Sequence, residues 1–187
     1  MTEAELIKGC AKHDKTCQRT FYEQFYSPMM GVCLRYSKDY AEAKTILNDG
    51  FLKVFSAIKH YRGENTLEEW IRKIIVNSAI DHLRSNKQSY WIVNTVNATM
   101  GDAGRSEKIA SDSDLLSQLN EKHILKAVQA LSPAYRVIFN LHFIDKYTHQ
   151  QISERLDISE ATSQLDFSKA KYHIRKNLTR IHERQSA

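Results

Sequence analysis

Proline and glycine are scarce, with two prolines and six glycines in 187 residues. So few breakers, in stretches where apolar residues recur near every 3.6 positions without strand-like alternation, predict an all-α fold. Cysteine is short as well. Cys10, Cys17 and Cys33 form an odd set with no Cys-x-x-Cys pair. This argues against a disulfide scaffold and a thiolate zinc site, and for a reducing compartment. No apolar run approaches the roughly 20 residues that a bilayer span requires. The start, MTEAELIKGCAKHDK, is too polar for a secretory signal, so the expectation is a cytoplasmic protein without membrane insertion.

The residues of catalysis are also thinly spread. His13-Asp14 and Asp81-His82 raise the idea of a metal phosphohydrolase or general-base site, but such a site needs several convergent ligands. No histidine precedes His13, the eight histidines include no His-Glu-x-x-His pair, and no glycine-rich phosphate loop is present. The expectation is a protein that is not an enzyme and uses no metal or cofactor.

What the chain does have is an uneven charge. The net +5 divides into thirteen basic and eleven acidic residues over 1–85, three and four over 86–120, and eleven and seven over 121–187. The excess sits near the C-terminus and points to an anionic partner. Helices are expected over about 3–11, 15–36, 39–59, 66–85, 119–130, 133–145, 148–156 and 160–182. Between Ser85 and roughly Asp114 the helical rhythm breaks and Ser, Asn, Gly and Asp gather. This reads as a linker, with YWIVNTV inside it as a strand, a docking element or an edge of the first domain. The expected organisation is therefore a helical domain over 1–85, a flexible linker over 86–118 and a second helical domain over 119–187.

In the second domain, Ile152 and Leu156 share one helix face, and Phe167, Ala170, Ile174 and Leu178 form another stripe. Asp157 and Ser159 between them suit a tight turn and an N-cap; Thr162 in place of Glu leaves the cap without a full capping box. A short helix, a sharp turn and a longer helix make a helix-turn-helix pattern, whose second helix can enter a major groove. An αα-hairpin within a bundle has the same spacing. The basic run Lys169, Lys171, Arg175, Lys176, Arg180 and Arg184, against Glu183, favours DNA, although basic residues also suit a helix C-terminus.

In the first domain, Ile46, Leu47, Phe51, Val54, Phe55 and Ile58 form a broad apolar face, with Thr45, Asn48, Asp49 and Lys53 opposite it as a solvated or partner-facing surface. Thr66 and Glu69 spell a capping box, and Leu67, Trp70, Ile71, Ile74, Ile75, Ala79 and Leu83 a buried stripe. Across that helix lie Arg72, Lys73, Asn77, Asp81 and Arg84. Beside a Tyr61-Arg62-Gly63 loop, these are suitable parts for holding single-stranded bases by stacking and backbone contacts, though Tyr61 and Trp70 also read as core aromatics.

Taken in order, the Phe51-Leu52-Lys53-Val54-Phe55 helix, the Tyr61-Arg62-Gly63 loop, Trp70-Ile71, Asn77, Asp81 to Arg84, Leu131 to Arg136 and Ile152 through Thr162 resemble the extracytoplasmic-function sigma factors of bacterial RNA polymerase. The likeness runs over nearly the whole chain. It implies a first domain that binds the clamp helices of core RNA polymerase and captures melted minus-ten DNA, and a second that reads the minus-thirty-five duplex of promoter DNA. Asn48 and Asp49, with Lys53, then fall on the core-binding helix. Tyr61, Arg62, Gly63, Glu64, Asn65 and Thr66 fall on the loop that holds a flipped base, with Arg72, Lys73, Asn77, Asp81 and Arg84 on the helix beside it. Gln164, Leu165, Ser168 and Lys169 fall on groove-facing positions, and Arg136, Thr148 and Lys171 near phosphates. An anti-sigma factor is a further partner that the resemblance brings with it.

The chain departs from that family where Asp166 replaces a usual Arg, Leu165 a usual Ser, and Thr45 and Gly50 a usual acidic and a usual apolar residue. An acid opposes phosphate, and a leucine makes no hydrogen bond to a base edge but can contact a thymine methyl. The competing reading is a helix-turn-helix transcriptional regulator with an N-terminal helical sensor or dimerisation domain. Such a protein would bind an operator without polymerase, often as a dimer on a palindrome.

Overall fold

The computed structural model describes residues 1–85 and 121–183. The expected linker 86–118, its YWIVNTV stretch, residues 119 and 120 of an expected helix, and Arg184 lie outside the described residues. The expected all-α class holds among the described residues, which fall in two compact units, Met1–Ser85 and part of Asn86–Ala187. No described helix is long and apolar enough to cross a membrane.

The first unit contains α1 (Glu3–Ala11), α2 (Lys15–Tyr36), α3 (Tyr40–Ala57), a 3₁₀ turn (Ile58–His60) and α4 (Leu67–Ser85). Each start has a local chemical cause. Thr2 and Glu5 close a capping box on α1, and Asp14 and Asp39 accept from backbone N–H groups at the starts of α2 and α3. Thr66 and Glu69 exchange the two bonds of a capping box at α4, each at 3.3 Å. The apolar stripes then meet in one core, where Phe21, Met29, Ile46, Leu47, Ile71 and Ile75 are fully buried. Gly50 is buried where α3 faces α4, and a β-carbon there would run into Cδ1 of Ile75, the far end of a flexible side chain.

The second unit contains α5 (Glu121–Gln129), α6 (Pro133–Phe139), a π-helical turn (Asn140–Ile144), α7 (His149–Leu156) and α8 (Glu160–Glu183). Pro133 opens α6 at a position where a missing N–H costs no helical bond. The helix expected over 133–145 changes form at Asn140. Its buried side-chain amide donates to the Arg136 carbonyl at 2.8 Å, and the backbone closes through Asp145 N–H to the Asn140 carbonyl at 2.9 Å, a five-residue step. Ala127, Val128, Leu131, Phe139, Ala170, Ile174 and Leu178 make a core between α5, α6 and α8. Ile152 and Leu156 anchor α7 as the spacing predicted.

Candidate nucleic-acid interface

The sharp joint between α7 and α8 rests on two residues. Asp157 ends α7 in the left-handed region at φ 58°, a conformation that Asp tolerates better than most residues. Two residues on, the Ser159 hydroxyl accepts from Thr162 N–H at 3.0 Å and meets the Thr162 hydroxyl at 2.8 Å. The cap forms without the Glu of a full box. Behind the joint, His149 Nδ1 lies 2.9 Å from Oγ of the fully buried Ser163, tying the first helix of the pair to the second. The rings of His142 and His149 stack at 4.1 Å, and Phe167 packs edge-on against both.

With Ser163, Ala170, Ile174 and Leu178 turned inward, α8 presents Gln164, Leu165, Ser168, Lys171 and Tyr172 outward, with Lys169 half-buried. The Lys171 ammonium lies 5.0 Å from the Phe167 ring centroid. Ser168 donates to the Gln164 carbonyl at 3.1 Å, so its hydroxyl already has a backbone partner. Asp166 is half-buried; burial raises its carboxyl above the ordinary value of 3.8, opposed by nearby Lys169. The Thr148 hydroxyl accepts from Gln151 N–H at 3.2 Å as the cap of α7, at an exposed position.

Arg136 is a correction. Expected near a phosphate, it is 3% exposed, and its guanidinium donates to the carbonyls of Val128 at 3.4 Å, Gln129 at 2.6 Å and Leu131 at 2.8 Å. The Val128 carbonyl also accepts from Leu131 N–H at 3.1 Å, and Arg136 adds its donors to this helix end and to the turn beyond it from inside the unit.

In the first unit, Tyr61 is less available than a free stacking platform would be. Its ring packs on Trp70 at 5.3 Å and its hydroxyl donates to the Asn65 carbonyl at 2.6 Å, which closes the 61–66 loop. Gly63 turns that loop at φ 74° and, with Arg62, Glu64, Asn65 and Thr66, is exposed. Lys73, Asn77 and Asp81 run along the exposed side of α4 at four-residue spacing, followed by exposed Arg84, while Arg72 is half-buried. Asp81 pairs with Lys53 of α3 at 2.7 Å, which joins two positions expected on separate surfaces.

The outward side of α3 carries exposed Asn48, Asp49 and Lys53, and Asn48 Oδ1 accepts from the Tyr22 hydroxyl at 3.2 Å. Beside them Leu52 is 67% exposed, an apolar side chain on the polar face. Sequence reasoning missed it as a site residue, yet the signal was present. With Phe51, Val54 and Phe55 on the apolar face, position 52 belongs among Thr45, Asn48 and Asp49.

Family comparison places these features. The model described as sigma-70 region 2 matches residues 21–89, and that for sigma-70, region 4 matches residues 121–174. The ECF RNA polymerase sigma factor SigW of Bacillus subtilis is 23% identical over 176 residues, covering 92% of this chain and 94% of that protein. The ECF RNA polymerase sigma-E factor of Escherichia coli K12 is 19% identical over 166 residues, covering 87% and 86%. The chain belongs to the extracytoplasmic-function sigma factors. It binds core RNA polymerase and directs promoter recognition, and it carries out no chemistry of its own. Among solved structures, the sigma factor RpoE with the anti-sigma factor NepR from Bartonella quintana is 14% identical with a TM-score of 0.49, covering 86% of this chain and 96% of that one. CnrH in complex with the cytosolic domain of CnrY is 11% identical with a TM-score of 0.45, covering 93% and 95%. The regulator alternative is set aside, since region 2 occupies the place where a sensor or dimerisation domain was envisaged.

Proposed function

We propose that this sigma factor divides its work at the boundaries read from the sequence. The 1–85 domain docks on core polymerase through Asn48, Asp49, Lys53 and Leu52 of α3. It captures melted minus-ten DNA on the 61–66 loop and the Arg72, Lys73, Asn77, Asp81 and Arg84 side of α4. The 119–187 domain reads minus-thirty-five duplex with Gln164, Leu165, Ser168 and Lys169, supported by Thr148 and Lys171, and residues 86–118 connect the two. Arg136 is left out because its donors are spent inside the unit. The same reading places the chain in the cytoplasm and brings in an anti-sigma protein as a further partner.

The observation that carries this reading is the order of the two family matches along the chain, one within each half. The Lys53–Asp81 pair is compatible with it, because an ion pair with partners 48% and 59% exposed contributes little to stability and can exchange for polymerase or DNA contacts. Initiation from a genomic fragment library by purified core polymerase, with and without the chain, tests the function. Asp49→Ala tests the docking face. Asp49 is exposed, so the variant should fold normally and bind core roughly five- to thirtyfold more weakly. Equal affinity for parent and variant would remove Asp49 from the interface.

A further inference from the structure

We infer that Leu165 is a base-reading residue of this sigma factor, and that what it reads is the C5-methyl group of a thymine in the major groove of the minus-thirty-five duplex. The inference rests on the reading of α8 as the duplex-reading helix and goes beyond it by naming the chemical group recognised.

Position comes first. At 100° per residue, Leu165 lies roughly opposite the direction in which Ser163, Ala170, Ile174 and Leu178 point into the unit. It is 55% exposed near the start of a helix whose other exposed side chains there are polar or small. A side chain so placed faces whatever receives the front of α8.

Chemistry then narrows the readout. The hydroxyls on this part of the helix have local partners: Thr162 is bonded to Ser159 and Ser168 to the Gln164 carbonyl. Gln164 Nε2 lies 3.4 Å from a Glu160 carboxylate oxygen, a long bond that a base edge can replace. Charge adds a third constraint. The first seven residues of α8 hold Glu160 and Asp166 and no basic residue, whereas Lys169, Lys171, Arg175, Lys176 and Arg180 follow. An acidic front and a basic rear direct the rear to phosphates and leave the front for base edges. Among the major-groove features of the four bases, the one that a hydrocarbon side chain recognises is the thymine methyl. Serine at this position would offer a hydroxyl; leucine offers a surface that gains by excluding water.

The test uses full-length chain on core polymerase. Duplexes carrying a randomised minus-thirty-five segment are selected for binding. The selected duplex is then remade with uracil in place of thymine, one position at a time, which deletes a single methyl and leaves every hydrogen-bonding group. One uracil substitution should weaken binding by the parent about three- to fivefold, the factor that corresponds to burying one methyl group. Leu165→Ala, whose melting temperature should match the parent, should bind the thymine and uracil duplexes alike. If no uracil substitution matters, or if the alanine variant keeps the parent's sensitivity, the role of Leu165 is overturned while the function of α8 stands. If selection yields no preferred minus-thirty-five sequence and removing Lys169 and Lys171 changes nothing, the reading of α8 as the duplex-reading helix falls, and this inference with it.

Discussion

His149 is held between a stacked imidazole, an aromatic ring and the hydroxyl of Ser163. Burial lowers its pKa from the ordinary 6.5, nearby His142 lowers it further, and Glu160 opposes both. Because the folded pKa lies below the unfolded one, the unfolded chain binds more protons in the interval between them. The stability that neutral His149 contributes is complete above about pH 6.5 and declines as pH falls through the folded value. Melting temperature should therefore drop between about pH 7.5 and about pH 5.5, and His149→Gln should drop less over the same interval. An unchanged pH profile in the variant would show that the imidazole is not the titrating group. The cysteine thiols sit at the opposite extreme. Burial pushes Cys10 up to about 11 and Cys33 up to about 12, so neither is an activated nucleophile near neutral pH.

At the scale of elements, α8 combines two jobs along its length. Its inward stripe holds the core, while its exposed cations begin only after the second turn. Lys171→Gln should weaken promoter binding across sequences and reduce the slope of log affinity against log salt by about one, whereas Lys169→Gln, on the groove-facing side, should also relax the sequence preference. Lys171 also lies over the Phe167 ring, so a stability measurement on each variant separates a packing loss from a phosphate loss. Slopes identical to the parent would exclude both residues from phosphate contact. The π-helical turn was not legible in advance, because the 3.6-residue spacing over 133–145 reads as one uninterrupted helix. It is the Asn140 amide, competing for a backbone carbonyl, that accompanies the change.

Across the whole molecule, the two units have separate cores, so a substitution in one should not unfold the other. Arg136→Met removes hydrogen bonds to the Val128 and Gln129 carbonyls at the end of α5 and to that of Leu131 in the turn after it. It should destabilise the second unit by about 2–3 kcal/mol, since the carbonyls lose a charged donor. Calorimetry of the full chain should show one transition moved down and one unchanged; a common shift of both would mean that the units unfold as one cooperative body.

The sequence by itself determined where most of the described helices lie, the capping box that opens α4 and the helix-turn-helix joint, because periodicity, capping and turn residues act over three or four positions. It also carried the family likeness, through the order of motifs along the chain. What only tertiary structure decided is where ambivalent side chains point. Arg136 reads as a surface cation until the turn between α5 and α6 brings three carbonyls to it. Asp81 finds Lys53 across 28 residues, and His149 finds Ser163 across 14. Such pairings depend on how packed helices cross, and spacing within one helix holds no record of its neighbour.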